Sequence, residues 1–431
     1  MTMLIKKGQV FLGGKFIKAD ILIDGSKIAA IGNDLEKSDK VIDGAGKFIV
    51  PGLIDMHVHF RDFGEEYKED WKTGSSAAAA GGITTVFDMP NNIKPIVSVE
   101  LLNLKREHAR NNSLVNFGLY AAVTEDNIIQ LNNSAIKYVK LYYGKTTGDI
   151  AVVGAEKIFR ELRKDILIVV HAEDNSVIEE NRRIYTGSEE NYHTLIRSSL
   201  AESTAVGVML TLAKKYGRNL HITHVSAKDS VQMIMDAKES GLKITCDTCP
   251  HYLFLDDTFY SELGNKMKVN PSIKSKADRD FLWSAIEDGS IDCISSDHAP
   301  HTLEEKSKPY NLAPAGIPGV ETTVPMMLNA VNENKIKFER FIEIMTAAPA
   351  KILGIKNKGK IGTGYDADLT IIDMNIEKTM NDDLLYTKCR WSPYSGMMIK
   401  GWPIMTIVNG NIVYVNNKTY SDKKGCEVEN G

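Results

Sequence analysis

Two histidines one residue apart, His57 and His59, close the apolar run Phe48-Ile49-Val50-Pro51-Gly52-Leu53-Ile54-Asp55-Met56. On an extended strand, residues i and i+2 point to the same side. Two neutral imidazoles on one side of a strand end are half of a zinc site. The bland reading is an ordinary strand whose two inward histidines find hydrogen bonds. Asp55, Arg61 and Asp62 crowd the same segment, which favours chemistry over packing.

Four more metal-competent side chains sit in later apolar runs: Lys140, His171, His224 and Asp297. Taken singly, His171 and His224 read as satisfied core histidines, and Lys140 as a buried or rim lysine in an ion pair. A protonated ammonium has no lone pair and repels a dication. Beside a metal, however, a lysine can lose its proton and react with carbon dioxide. The resulting carbamate has two oxygens and can bridge two metals. The residues leave both readings of Lys140 open.

Something must bring these side chains together. The middle of the chain alternates β and α patterns. Eight apolar strands are expected: Leu53 to His59, Ile83 to Met89, Val115 to Ala121, Tyr138 to Tyr142, Ile166 to His171, Leu220 to His224, Lys243 to Asp247, and Asp292 to Asp297. Helical patterns lie between most of them: Trp71 to Ala80, Val99 to Asn111, Ala155 to Lys164, Leu195 to Tyr216, Ala227 to Ser240 and Ala277 to Asp288. Such a series predicts an α/β fold, a (β/α)8 TIM-type barrel. Barrel enzymes carry their chemistry at the C-terminal ends of the strands. His57 and His59 end the first strand, Lys140 lies on the fourth, and His171, His224 and Asp297 end the fifth, sixth and eighth. Six such residues at one rim outweigh six separate mundane readings.

Both ends of the chain have a different texture. Short strands are expected at Gln9–Leu12, Phe16–Ile17, Ile21–Ile23 and Ile28–Ile31, with turns at Gly13-Gly14 and Asp24-Gly25. β patterning returns at 364–373 and 405–414. Residues 1–50 plus 356–431 are therefore expected to form one small composite β-sandwich domain, and 51–355 the catalytic barrel. A charged tail follows Tyr420. The segment 301–319, rich in Pro and Gly, reads as a lid over the site or a plain surface loop.

Composition narrows the partners. A chain of 431 residues exceeds one small core. Net charge is −4 with no basic stripe, which argues against nucleic acid and anionic membranes. There is no 18-residue apolar span and no apolar signal core at the N-terminus, so a cytoplasmic setting is expected. The five cysteines are sparse, and Cys246-Asp247-Thr248-Cys249 lacks a second CxxC. Cys246 and Cys249 are expected to be buried, unpaired thiols.

The ordered motifs resemble the metal-dependent amidohydrolases, and among them the dihydroorotases. They are Pro51-Gly52-Leu53-Ile54-Asp55-Met56-His57-Val58-His59-Phe60-Arg61-Asp62, Met89-Pro90-Asn91-Asn92, Val139-Lys140-Leu141-Tyr142, His171-Ala172-Glu173, His224-Val225-Ser226, Asn270-Pro271-Ser272 and Ser296-Asp297-His298-Ala299-Pro300-His301. The resemblance covers nearly the whole chain. It implies two zinc ions. His57, His59 and Asp297 would hold the more buried one, and His171 and His224 the second. Lys140, as N6-carboxylysine, and a hydroxide would bridge them. That hydroxide would attack the ring carbonyl, with Asp297 carrying its proton to the ring nitrogen. In reverse, N-carbamoyl-L-aspartate closes to L-dihydroorotate, the third step of pyrimidine (UMP) synthesis. A homodimer acting on this small-molecule substrate is the family expectation.

Dihydroorotate bears a carboxylate, and a guanidinium pairs with one bidentately. Arg61 is the natural partner. Sequences resembling allantoinase usually carry asparagine there, and allantoin has no carboxylate. The resemblance also brings Asn91 and His301 to the carboxylate side, Asn270 to the ring amide, and main chain around Ala315 and Gly316 to the ring. From the residues alone, Asn91 reads as a turn after Pro90 and Asn270 as a pre-proline turn. The alternatives are another cyclic-amide hydrolase, such as an allantoinase or hydantoinase, or a catalytically silent scaffold. A scaffold is disfavoured because no expected ligand is missing. Phe63 departs from the family pattern, which often has proline there; so do Ile273-Lys274 and Ala315.

Overall fold

The computed structural model describes residues 2–36, 38–145, 150–152, 154–186, 192–420, 422 and 424–429. Its centre is a ring of parallel strands. Leu53–Val58, Ile83–Asp88 and Asn116–Leu119 pair in that order. Ala121–Ala122, Tyr138–Tyr143, Leu167–Ala172, Leu220–Ile222, Ile244–Thr248 and Cys293–Ile294 continue it. The ring closes between its last and first strands. Val58 bridges His298 in parallel, His59 N–H donates to His298 O at 2.8 Å, and Ser296 N–H donates to Asp55 Oδ1 at 3.1 Å. Strands of this kind are buried on both faces, as in Ile83–Asp88, where every residue is buried.

The helices fall close to the sequence pattern. Trp71–Ala80, Val99–Asn112, Ala155–Glu161, Lys228–Glu239 and Lys276–Glu287 are all helical. The expected helix from Leu195 to Tyr216 is instead Tyr192–Ile196 followed by Ser199–Tyr216. Ser198 causes the break: its backbone is extended and its side chain caps the Ala201 N–H. Strand eight forms its ladder over Cys293–Ile294 only. The chain then turns away, and Asp297 takes a left-handed φ of 44°.

The two ends of the chain share one sheet of nine strands. Phe48–Pro51 is its seam, parallel to Thr2–Leu12 on one side and antiparallel to Leu369–Thr379 on the other. Apolar residues of both segments, among them Ile5, Ile21, Ile49, Leu369 and Ile407, pack in one core. The expected short strands Phe16–Ile17 and Ile21–Ile23 are one strand, Lys15–Asp24. Asp20 interrupts the apolar pattern but not the strand, because its buried carboxylate accepts the N–H groups of Lys7 and Leu35. Gly52 joins sheet to barrel at close quarters: a Cβ there would lie 2.2 Å from Thr84 Oγ1. The charged tail is not merely solvated. Phe117 N–H donates to Cys426 O, and Val428 N–H to Phe117 O, both at 2.9 Å, so the tail lines the third strand.

Candidate active site

The strands deliver the expected ligands to one rim. His57 and His59 leave the first strand, Lys140 and Tyr142 share a face of the fourth, and His171 ends the fifth. His224 and Asp297 follow the sixth and eighth strands with φ of 45° and 44°. Non-glycine residues in this region concentrate at functional sites, where surrounding structure holds the strain. The left-handed turns swing both side chains over the barrel mouth.

All six expected metal ligands line one small cavity, with Arg61, Asn91, Asn270, Ala315 and Gly316 completing its walls. Tyr142 and Ala299 also line it; neither is singled out by sequence reasoning. His57 Nε2 and His59 Nε2 lie 3.2 and 3.1 Å from Asp297 Oδ1. His171 Nδ1 lies 3.1 Å from His224 Nε2. The His57 and His224 ring centroids, 5.2 Å apart, join the two groups. Lys140 Nζ donates to Thr223 Oγ1 at 2.8 Å.

A second layer aims these rings. His59 Nδ1 is 2.6 Å from Asn91 Oδ1, and His171 Nε2 is 3.1 Å from Glu173 Oε2. Each acceptor favours N–H on the far nitrogen and leaves the near nitrogen's lone pair for the cavity. Glu173 is ion-paired in turn with Arg197. Asp247 Oδ1 accepts the His224 N–H at 2.6 Å, and Asp247 Oδ2 lies 2.8 Å from His221 Nε2. His221, Asp247 and Cys293 are close enough to suggest a further metal centre. Both His221 nitrogens are engaged, however, the other with Thr245 Oγ1 at 2.8 Å. Asp247 thus links His221 to the His224 main chain.

The electrostatics suit a cation. Burial, then the Lys140 charge and neighbouring rings, hold His57 well below the ordinary imidazole range; burial, then His171 and Lys140, do the same to His224. Burial lowers His59 and His171 against the opposing pull of Asp297 and Glu173. Neutral rings keep the lone pairs that metals bind. Burial also brings Lys140 down to about 7, against Asp247 and Asp297. His57 Nδ1 and His224 Nδ1 are buried with no hydrogen-bond partner among the described residues. Converging neutral nitrogens with a carboxylate fit a divalent metal.

Arg61 lines the same cavity. It is 4 % exposed, at φ 35°, and its Nε donates to Pro300 O at 3.2 Å. His301 does not line the cavity. It stands one layer behind, its Nε2 3.2 Å from both Arg61 Nη2 and Ala315 O. Burial, then the Arg61 charge, push His301 down to about 3, so the ring is neutral. Phe63 follows Arg61 at φ 62° and donates its N–H to Glu66 Oε1 at 2.8 Å. Proline can do neither, so this turn differs physically from a proline-bearing one.

The segment 301–319 is a pinned wall. Buried Lys306 donates to three carbonyls, Lys268 O at 3.0 Å and Pro314 O and Gly316 O at 2.9 Å. Lys268 Nζ donates to Tyr310 O and Ala313 O, both at 2.6 Å. Gly316, at φ 141°, runs so close that a Cβ would lie 2.4 Å from Ala299 O. Cys246 and Cys249, as expected, are buried free thiols. Among the described residues no helix is long and apolar enough to cross a membrane.

Comparison with known proteins agrees with this architecture. The amidohydrolase family model matches residues 48–413, and the chain belongs to that family of hydrolases. Its near-full-length relatives include the dihydroorotase of Lactobacillus johnsonii, 37% identical over 422 residues, 96% of this chain and 99% of the relative. The dihydroorotase of Halobacterium salinarum is 35% identical over 400 residues, 92% and 93% of the two chains. Among solved structures, the L-hydantoinase (dihydropyrimidinase) from Arthrobacter aurescens superposes with a TM-score of 0.95 at 30% identity, covering 99% of each chain. The dihydropyrimidinase from Brevibacillus agri gives 0.92 at 28%, covering 100% and 99%.

Proposed function

We propose that this protein is a dihydroorotase, closing N-carbamoyl-L-aspartate to L-dihydroorotate and reopening it, in pyrimidine biosynthesis. The observation that carries the reading is Arg61: a buried guanidinium in the wall of a cavity that a metal-type cluster also lines. Its one ion-pair carboxylate among the described residues, Glu65 Oε2, is 3.9 Å from Arg61 Nη1, so a neutral ring would leave the guanidinium only weakly compensated in the site. The carboxylate of dihydroorotate completes it with charge-assisted hydrogen bonds.

Two zinc ions would be held by His57, His59 and Asp297 and by His171 and His224, with Lys140, as N6-carboxylysine, as the further ligand. Bound metals supply Lewis acidity, polarising a carbonyl and making water acidic enough to act near neutral pH. The chain's own residues do the rest. Asp297 takes the proton of the attacking water and delivers it to the leaving ring nitrogen. Asn270 Oδ1, buried without a partner among the described residues, accepts a ring N–H. The main chain at Ala315 and Gly316 forms the face against which the ring lies, and Asn91 and His301 hold His59 and Arg61 in place. The barrel and the two-ended sheet act as separate domains, 51–355 and 1–50 plus 356–431. A homodimer and a cytoplasmic setting complete the reading.

The second reading, a hydrolase of neutral cyclic amides, has the printed names of the structural neighbours in its favour. Ring opening of L-dihydroorotate by zinc-loaded protein tests the first. Turnover is expected, with loss on chelation and return with zinc; inert zinc-loaded protein contradicts it. Intact-mass analysis tests the bridge: active, metal-loaded enzyme with an unmodified Lys140 excludes the carbamate.

A further inference from the structure

We propose that the Tyr142 hydroxyl is a catalytic hydrogen-bond donor to an oxygen of the bound substrate. The inference rests on the ring-opening reading above. Tyr142 lies two residues beyond Lys140 on the strand Tyr138–Tyr143, so both side chains share one face. Its ring is 5.6 Å from Lys140 Nζ and 6.4 Å, centroid to centroid, from the His171 ring. It lines the same cavity as the expected metal ligands.

The residue is 3 % exposed, yet its hydroxyl has no hydrogen-bond partner among the described residues. Three other buried tyrosines here are satisfied; the buried Tyr260 hydroxyl also has no partner among the described residues, but it does not line this cavity. Tyr120 donates to Met56 O at 3.1 Å, Tyr138 to Leu353 O at 2.5 Å and Tyr252 to Pro271 O at 2.7 Å. A buried unpaired hydroxyl costs stability, so its presence calls for a reason. A ligand that completes it is such a reason, because a preorganised donor costs no rearrangement at the moment of reaction. A phenol keeps its proton at neutral pH and donates it. Carboxylate and carbonyl oxygens of a cyclic ureide-type ring are acceptors and complement it.

Tyr142→Phe removes only the oxygen and separates this role from a structural one. Steady-state rates, zinc content and thermal midpoint are measured on the zinc-loaded enzyme. The expected result is a kcat/KM lower by about 10- to 100-fold, with zinc content unchanged and the midpoint equal or higher. A kcat/KM within about threefold of wild type overturns the proposal, as does a lowered midpoint or zinc content that accounts for the lost rate. The comparison uses whichever ring, dihydroorotate or hydantoin, the wild type opens. Failure of the substrate reading then shows in the wild type, and failure of the Tyr142 role only in the variant.

Discussion

The Arg197 guanidinium is ion-paired with the Glu173 carboxylate directly behind the His171 ring. Glu173 is fully buried. Burial alone raises a carboxyl, but Arg197 and His171 outweigh it and hold Glu173 at about 2 instead of 4.5. A carboxylate depressed on folding contributes stability that is complete above its unfolded value. That contribution is lost as pH falls from about 4.5 toward 2. Glu173→Gln leaves Arg197 buried and uncompensated, at a cost of about 3 kcal/mol. Urea unfolding of metal-stripped wild type and variant at pH 7, 5 and 3 checks both points. The gap between them narrows with acid; a constant gap contradicts the assignment.

Asp297 meets both His57 and His59. Asp297→Asn keeps the size of the side chain and its carbonyl oxygen but removes the base. The fold and much of the metal are expected to remain while kcat falls by about 10²–10⁴-fold. Metal analysis beside steady-state rates measures this. Near-normal turnover removes Asp297 from the proton path.

Arg61→Met keeps an apolar stem in the wall and deletes the charge. Losing a charge-assisted pair costs about 1.5–3 kcal/mol, so kcat/KM for dihydroorotate falls by roughly 10- to 100-fold. A neutral ring such as hydantoin is expected to lose nothing. An equal loss on both rings makes Arg61 a structural residue.

Lys306 donates to two carbonyls of the wall that carries Ala315 and Gly316, those of Pro314 and Gly316, and ties them to Lys268 O. In Lys306→Met the Pro314 and Gly316 carbonyls lose this donor, while Lys268 O keeps the Gly316 N–H, and the wall loosens. Hydrogen exchange across 310–317 is expected to speed up, with KM up about tenfold and kcat changed less. Unaltered exchange shows that the wall stands without the lysine.

The metal cluster was legible because it depends on strand ends, which hydrophobic periodicity marks. His57, His59, His171, His224 and Asp297 close or follow apolar runs, Lys140 lies within one, and the barrel brings these positions together. The supporting layer was not legible. Asp247 holds His224, and Arg197 holds Glu173, through register between different strands and helices, which spacing along one chain does not encode. The same limit applies to His301. Its motif gives its chemistry, but only the packing sets it behind Arg61. The strand Lys15–Asp24 runs unbroken through Asp20 because that carboxylate is satisfied by N–H donors on Lys7 and Leu35, both distant in sequence.

Substrate preference tests the central claim most directly. The zinc-loaded enzyme is assayed for ring opening of L-dihydroorotate, hydantoin and allantoin under one set of conditions, and kcat/KM values are compared. Dihydroorotate is expected to exceed either neutral ring by about 10²-fold or more, the discrimination a buried charge partner provides. A neutral ring opened as well as dihydroorotate, or better, contradicts it.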